Sequence, residues 1–245
     1  MKPGLDVHSN YISTRFGSTH DAGDIDNLYK KYAPFAKHNF IRHFPENKNL
    51  RIIDIGCGFG QMLHALKHYG YDNISGVDLS PECVDFCRNN GFQVTQGNLV
   101  TFFGAEREPY DVIIMNDIIE HIPKADIIPS LKSYYGALSP GGLLMIKTFN
   151  ATNPILGLDA RYCDFTHELG FTESSFRQIL LVAGFSPQNV GIVPSHLYVY
   201  FYNPLNYVAW LMNSCINLCI KFYFKLNGRV IANIFTKNMI AIAKR

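Results

Sequence analysis

Short runs of apolar residues alternate along the chain with stretches in which apolar residues recur every three or four positions. The runs are typical of buried strands, and the stretches predict helices between them. Strands are predicted at 51–55, 73–78, 92–96, 110–115, 143–149, 189–193 and 238–243. Helices are predicted at 24–44 with a break near Pro34, 61–69, 80–90, 125–138 and 172–183. This alternation predicts an α/β fold in which helices flank a mostly parallel, seven-stranded sheet.

One long segment interrupts the alternation before the last strand. Residues 195–235 are too many for an ordinary loop, and 205–224 are mostly apolar or aromatic. The polar residues Asn206, Asn213, Asn217 and Lys221 make this run a poor transmembrane span. We predict a helical insertion that packs on the core, forms a homodimer interface or lies on a membrane surface. The predicted parts are an N-terminal arm and helix over the ligand site (1–45), a core (46–194), the insertion (195–235) and the last strand of the core (236–245).

Composition and charge narrow the class of protein. The 245 residues are 47% hydrophobic and 17% charged, which is typical of a globular chain with a sizeable core. A net charge of +2 argues against a dedicated nucleic-acid binder. No acidic residue follows Glu173, so residues 174–245 carry +7, which predicts contact with an anionic surface. The polar N-terminus and six cysteines without a Cys-x-x-Cys pair predict a cytoplasmic protein, peripheral at the inner face of the membrane if the basic segment binds lipid.

A glycine-rich loop follows the first predicted strand. Gly56, Gly58 and Gly60 lie in this loop, and Asp78 ends the second strand 22 positions after Gly56. This is the layout of a nucleoside-binding crevice, in which the acid accepts hydrogen bonds from the ribose hydroxyls. Asp54 stands two positions before Gly56, where a carboxylate disfavours a pyrophosphate and favours a cation. The charges therefore favour S-adenosylmethionine, which has a sulfonium and an ammonium group and no phosphate, over NAD.

Four segments resemble motifs of class I methyltransferases, in the family's order. Residues 52–60 resemble the form ILDIGCGxG, 76–81 the second-strand motif, and 116–123 the form DVLEHIP. Residues 96–99 lie where the family places a polar residue near the adenine, with Asn98 in place of the usual Asp. The resemblance covers roughly residues 30–150 and implies a Rossmann-like fold. It implies that S-adenosylmethionine is bound by Asp54, Gly56, Cys57, Gly58, Gly60, Asp78, Leu79, Asn98, Leu99, Asn116 and Asp117.

The stretch after the fifth strand is the densest in polar side chains. Residues 161–172 are similar to methyltransferases encoded among bacterial polysaccharide and lipopolysaccharide glycosyltransferases. That resemblance implies O-methylation of a sugar hydroxyl in glycan assembly, on a sugar, a nucleotide sugar or a lipid-linked glycan. A nucleic-acid base is not the predicted acceptor, because no Pro-Pro-aromatic motif follows strand four.

Three residues are predicted to be catalytic. His167 is the predicted general base, because an imidazole has an ordinary pKa of about 6.5. Asp164 would orient that ring or bind the acceptor, and His121 would act beside the donor or simply pack there. Residues predicted to bind the acceptor, with Arg161 holding a phosphate or carboxylate, are Arg161, Tyr162, Thr166 and Glu168. The alternative that residues 166–168 only precede a helix cap at Thr172 stays open.

Two further alternatives remain open at this point. No metal is assigned, although a cluster of hard ligands would suit Mg²⁺: Asp117, Glu120, His121, Asp164, His167 and Glu168. The segment 120–123 is shared with methyltransferases of small-molecule or lipid-quinone acceptors, so such an acceptor is the second candidate. A non-catalytic membrane or partner module is the third, and the intact glycine loop counts against it.

Overall fold

Seven strands and seven α-helices lie in the described part of the chain, which comprises residues 22–103, 108–195, 204–228 and 233–245 of a computed structural model. The predicted arm before residue 22 lies outside that part. The strands are β1 Ile52–Ile55, β2 Ile74–Asp78, β3 Val94–Gln96, β4 Tyr110–Asn116, β5 Leu138–Phe149, β6 Val190–Ser195 and β7 Asn238–Lys244. The helices are α1 Ala22–Asn39, α2 Gln61–His68, α3 Pro81–Asn89, α4 Lys124–Ala137, α5 Leu156–Tyr162, α6 Glu173–Ala183 and α7 Pro204–Leu226.

The strands form one sheet in the order β3-β2-β1-β4-β5-β7-β6. Strands β1 to β5 pair in parallel, and β7 runs antiparallel between β5 and β6. The strand order reverses between β1 and β4, which opens a crevice at the carboxyl ends of these two strands. The predicted α/β fold is therefore confirmed, and this topology places both the glycine loop and the segment after β4 at the crevice.

Alternating residues of the central strands bury their side chains in two separate cores. Ile53 belongs to the core that α4 and α6 cover, whereas Ile52 belongs to the core that α1, α2 and α3 cover. Both side chains are almost completely buried. Burial on both faces explains why these strands read as continuous apolar runs in the sequence.

Three elements differ from the sequence prediction. Helix α1 continues through Pro34 to Asn39, because Ala33 and Ala36 on either side of the proline are buried against the core. Strand β5 begins at Leu138, five residues before the predicted start, and residues 139–142 lie at a register shift in its pairing with β4. Helix α5 was not predicted at all. It has seven residues, which is too short for the helical spacing to show.

The predicted insertion contains α7, a helix of 23 residues. Residues 196–203 and 229–232 of the insertion lie outside the described part of the chain. None of the helices described has the combination of length and apolar content that crossing a membrane requires.

Candidate active site

The glycine loop leaves β1 in a conformation that only glycine adopts readily. Gly56, Gly58 and Gly60 have φ angles of +70°, +50° and +76°. The amide of Gly56 donates to the carbonyl of Val77, at 2.8 Å, which ties the loop to the end of β2. A Cβ atom on Gly56 would lie 2.2 Å from Cδ1 of Ile118. The loop therefore packs directly against the segment after β4, and its backbone is free to approach a ligand closely.

Asp78 is fixed at the end of β2 by two backbone amides. Its Oδ2 atom accepts from Gly58 N at 2.8 Å, and its Oδ1 atom accepts from Ser80 N at 2.9 Å. Burial raises the pKa of this carboxyl, while these amides act in the opposite direction. A carboxylate oxygen accepts more than one hydrogen bond, so both oxygens can also accept hydrogen bonds from ribose hydroxyls. This geometry is the one predicted for a nucleoside.

Asp54 lies beneath the same loop and is 3% exposed. Burial, followed by the nearby charge of Asp78, raises the pKa of the Asp54 carboxyl well above its ordinary value. A cation bound beside this carboxyl would favour its ionised form and lower that pKa again. The site is thus suited to a positively charged ligand, as the sequence predicted.

An unsatisfied acceptor lies at the end of β4. The Oδ1 atom of Asn116 is buried and has no hydrogen-bond partner among the residues described. Buried polar atoms of this kind cost free energy, and a ligand N–H group would remove that cost. The next residue, Asp117, has a φ of +56°, and its carboxylate accepts from the buried Lys147 ammonium. The glycine cradle, Asp54 and Asn116 together fit the sulfonium, ammonium and ribose groups of S-adenosylmethionine.

The other residues predicted to bind S-adenosylmethionine differ in their exposure and hydrogen bonds. Leu79 is 43% exposed just beyond β2. Asn98 is also exposed, and its Oδ1 atom accepts from the amide of Val100 at 2.9 Å, while the carbonyl of Leu99 accepts from Tyr134 Oη. Cys57 is buried, so it offers the ligand its backbone only.

One contact to the glycine loop comes from a helix that the motifs do not include. Tyr29 in α1 donates its hydroxyl to the carbonyl of Phe59 at 2.5 Å, and its ring stacks on His64. Helix α1 therefore lies against the loop. The only sequence signal for this contact is the helical spacing of apolar residues in α1, which does not indicate what Tyr29 contacts.

Two histidines come together on the other side of the crevice. The rings of His121, which follows β4, and His167, which follows α5, have centroids 4.7 Å apart. Phe149 at the end of β5 stacks on His167 at 5.4 Å. The amide of Glu168 donates to the carbonyl of Glu120 at 2.7 Å, which joins the two segments. The structure thus brings together predicted catalytic residues that are 46 positions apart in the chain.

Backbone contact orients the ring of His167. Its Nδ1 atom lies 2.7 Å from the carbonyl oxygen of Ala160. Because a carbonyl oxygen can only accept, Nδ1 carries the hydrogen and the neutral ring has its lone pair on Nε2. A histidine in this tautomer can take a proton at Nε2, which is what a general base requires.

Asp164 acts on the other histidine. Its Oδ1 atom accepts from the Thr166 hydroxyl at 2.7 Å, and the Thr166 oxygen lies 2.8 Å from His121 Nδ1. Both Asp164 and Thr166 are buried. These contacts connect the side chain of Asp164 through Thr166 to His121, and the role predicted for Asp164, to orient His167 or to bind the acceptor, stays a prediction. Thr166, which was predicted to bind the acceptor, links Asp164 to His121, and we call these three residues the His121 relay.

The remaining predicted acceptor residues lie at the surface of the α5 segment. Arg161 donates to the carbonyl of Glu168 at 2.8 Å, and its guanidinium lies over the Tyr162 ring. The side chain of Arg161 thus stabilises its own loop. The same segment exposes four large apolar side chains: Ile155, Leu158, Tyr162 and Phe165.

A buried carboxyl lies directly behind the two histidines. Burial and, to a lesser extent, the charge of Asp117 raise the pKa of Glu120 to about 8. Its Oε2 atom accepts from the hydroxyl of Thr148 at 3.0 Å. Potential ligand atoms of Glu120, His121 and His167 all lie within 4.8 Å of one another, so these three could hold a divalent cation. A cation there would have to displace the proton that Glu120 holds at neutral pH.

Comparison with known proteins identifies the family. The family model described as "Methyltransferase domain" matches residues 28–190, which is more than half of the chain. Curated relatives include ubiquinone biosynthesis O-methyltransferases of Chelativorans sp., 27% identical over 58% of this chain and 67% of the relative, and of Azorhizobium caulinodans, 30% identical over 48% and 50%. The chain thus spans about half to two thirds of the length of these relatives.

Solved structures share the fold at low identity. A methyltransferase from Archaeoglobus fulgidus aligns with a TM-score of 0.61 and 20% identity over 96% of this chain and 98% of that chain. Phosphoethanolamine N-methyltransferase 2 of Haemonchus contortus, solved with S-adenosylmethionine, aligns with a TM-score of 0.61 and 17% identity over 99% and 60%. The predicted resemblance to polysaccharide methyltransferases is not found among these relatives. The crevice, the family match and the shared fold agree, and the chain belongs to the class I methyltransferases that use S-adenosylmethionine.

Proposed function

We propose that this enzyme transfers a methyl group to the hydroxyl of a small, lipophilic acceptor of the quinol or phenol type. The observation that carries the proposal is the pair of histidines at the crevice, with His167 held by the Ala160 carbonyl so that Nε2 has the lone pair. A hydroxyl acceptor must lose a proton as it is methylated, and a base within reach accelerates that loss. The curated relatives named above are O-methyltransferases of ubiquinone biosynthesis, which supports an acceptor of this class.

The surface beside the histidines supports an apolar acceptor over a sugar. Leu158 and Phe165 are 67% and 95% exposed next to the site. Three of the polar side chains predicted to recognise an acceptor have protein partners, since Asp164 and Thr166 hydrogen-bond each other and Arg161 binds a backbone carbonyl. The aromatic face of Phe149 also stacks beside His167. These contacts are why we place a quinol before the sugar acceptor that the sequence suggested.

The chain's own residues have separate tasks in this proposal. S-adenosylmethionine supplies the methyl group when it is bound. Asp78, Asp54 and the glycine loop hold the donor and fix its position. His167 Nε2 accepts the proton that the acceptor hydroxyl loses as its oxygen gains the methyl group. His121, oriented by Thr166, packs against the ring of His167 and supports its position.

An acceptor panel tests the proposal. Purified enzyme with labelled S-adenosylmethionine is offered a prenylated catechol or demethylated quinol, the same head group without its prenyl tail, and a set of nucleotide sugars. We expect methylation of the prenylated compound, with the tail-free compound turned over less efficiently. Methylation of nucleotide sugars with no turnover of either phenolic compound would overturn the proposal and favour the sugar acceptor.

A further inference from the structure

Helix α7 contacts the protein body through a narrow side. The side chains of this helix that are partly buried are Asn213, Asn217, Ile220 and Phe224, which share one face at the helical spacing. Phe224 contacts the ring of Phe235, and Asn213 and Asn217 line a cleft of about 470 Å³ between the helix and the body. None of the α7 side chains that the structure describes is classed as buried. The helix is therefore attached along a narrow strip of two polar and two apolar side chains.

The opposite side of α7 is apolar and exposed. At 100° per residue, ten positions cover about 160° of the helix surface on the side away from the body, and none of them carries a charge. They are Val208, Leu211, Met212, Cys215, Ile216, Leu218, Cys219, Phe222, Tyr223 and Leu226, all of them exposed. We call these ten residues the outer face of α7. A helix in water normally has the reverse arrangement, with its apolar stripe on the core.

The exposed apolar side chains are concentrated in one region. Of the 17 large hydrophobic side chains that are exposed in the described residues, ten lie in α7 and four lie between 155 and 165. The two segments adjoin, since Leu156 and Trp210 line the same cleft. Scattered apolar residues are normal on a protein surface, but a continuous patch marks a binding surface. The exposed apolar side chains of the described residues are thus concentrated on α7 and on the neighbouring segment 155–165.

The basic residues around this surface favour an anionic partner. Lys225 lies on α7 beside the outer face, Lys221 lines the cleft on the same flank of the helix, and the chain has no acidic residue after Glu173. Asp159 is the one exposed acid on α5, next to Arg161. A second copy of the chain would bring the same lysines together, which is unfavourable. An anionic lipid surface instead offers acyl chains for the apolar stripe and phosphates for the lysines.

We propose that the outer face of α7 lies in the headgroup region of an anionic membrane, with the body of the enzyme above it. This is the arrangement of an interfacial amphipathic helix, not of a membrane span. The contact with lipid depends on the helix alone and is measurable without any acceptor.

Sedimentation with vesicles tests the contact. At low salt, the full chain is mixed either with vesicles of phosphatidylcholine alone or with vesicles of phosphatidylcholine that also contain about 30% phosphatidylglycerol, which is anionic. We expect binding to the anionic vesicles that weakens as salt is raised. Leu218→Glu with Phe222→Glu should weaken binding roughly tenfold or more, because two buried apolar groups are replaced by charges that the anionic surface repels. Val182→Glu, an exposed apolar residue on α6, is the matched control and should bind like the parent chain.

Two further measurements make the outcome decisive. Donor binding by calorimetry should be unchanged in the Leu218→Glu/Phe222→Glu variant, which shows that the variant is folded. The molar mass in solution, measured by light scattering, tests the alternative that a second copy of the chain covers the outer face. Failure of the parent chain to bind anionic vesicles at low salt, or equal binding by the double variant, overturns the proposal. A dimer that the double variant disrupts, without vesicle binding, would assign the face to a second copy.

Discussion

The two histidines of the active site are held by different groups, and this difference separates their roles at the scale of single residues. His167 is oriented by a backbone carbonyl, whereas His121 is oriented by a hydroxyl that hydrogen-bonds a buried carboxylate. The arrangement at His121 is typical of a ring whose orientation is kept precise by neighbours. The arrangement at His167 leaves its Nε2 lone pair for the acceptor. We therefore expect the two variants described next to fail in different ways.

Replacing His167 should lower turnover and leave the donor in place. We expect His167→Ala to reduce kcat by about 100-fold or more, since the general base is lost, with the affinity for S-adenosylmethionine unchanged. His68→Ala, which removes an exposed histidine of α2, is the control and should behave like the parent enzyme. Steady-state kinetics together with donor calorimetry measure both quantities. Normal kcat in His167→Ala would contradict the assignment of the base.

The relay behind His121 predicts a smaller and indirect effect. Thr166→Val keeps the shape of the side chain but removes the hydroxyl that links Asp164 to His121. We expect kcat to fall by about tenfold, with part of the loss restored in Thr166→Ser, which supplies a hydroxyl again. A purely structural role would lower the unfolding midpoint of both variants without this difference in kcat. Kinetics and thermal unfolding of the two variants separate these outcomes.

The buried carboxyl of Glu120 predicts a pH dependence of stability. The folded chain keeps this proton up to a pKa of about 8, whereas an exposed glutamate loses it near 4.5. Between these values the folded state binds more protons than the unfolded state, so stability falls as pH rises. Glu120→Gln is neutral in both states, and its unfolding midpoint should fall less than that of the parent chain between pH 5.5 and 8.5.

A matched variant controls for the loss of any carboxyl in this segment. Glu168→Gln changes an exposed glutamate and should keep the pH dependence of the parent chain. Unfolding followed by circular dichroism at each pH measures the three proteins side by side. Equal slopes for Glu120→Gln and the parent chain would show that Glu120 is ionised in the folded protein.

At the scale of elements, the glycine loop requires glycine both for its backbone conformation and for its close packing against neighbouring residues. Gly56 and Gly91 both have positive φ angles, of +70° and +79°. A Cβ atom on Gly56 would overlap Ile118, whereas a Cβ atom on Gly91 would meet nothing within 4 Å. The two positions therefore separate the cost of the backbone conformation from the cost of the steric overlap.

Alanine at these two positions should give different results. We expect Gly91→Ala to lose about 1 kcal/mol of stability and to bind the donor normally. Gly56→Ala should lose about 1–3 kcal/mol more, because the new methyl group forces the loop and Ile118 apart, and it should bind the donor weakly or not at all. Chemical unfolding and donor calorimetry give both numbers. Equal stability losses with intact donor binding would mean that the loop does not pack as described.

The elements also show what local sequence patterns can predict. The strands and most helices were predictable within a few residues because their apolar spacing is local, and the capping of α3 by Ser80 followed from its residue type. The antiparallel direction of β7 was not predictable from the chain of apolar positions, since a strand has the same pattern in either direction. Helix α5 was not predicted because seven residues are too few to show helical spacing. The relay from Asp164 to His121 was missed because it joins segments 43 residues apart.

At the scale of the whole molecule, the fold gathers the two halves of the active site at one edge of the sheet. The donor crevice lies between β1 and β4, and the histidines follow β4 and α5 beside it. Asn150 and Asn153 hold the segment before β7 at this edge, because their amides donate to the carbonyls of Ile234 and Phe235. Helix α7 contacts that segment through the rings of Phe224 and Phe235. The donor site was predictable from motifs in a single stretch of sequence. The acceptor surface was not, because it is formed by segments that only the tertiary structure brings together.

Binding of the methyl donor is the claim on which the whole account depends, and calorimetric titration with S-adenosylmethionine measures it most directly. The account predicts binding by the parent chain and by Asp72→Ala, which removes an exposed acid just before β2. Asp78→Ala should bind about 100-fold more weakly, because the hydrogen bonds of its carboxylate to the ribose hydroxyls are lost. Absence of donor binding by the folded parent chain, or equal binding by Asp78→Ala, would contradict the account.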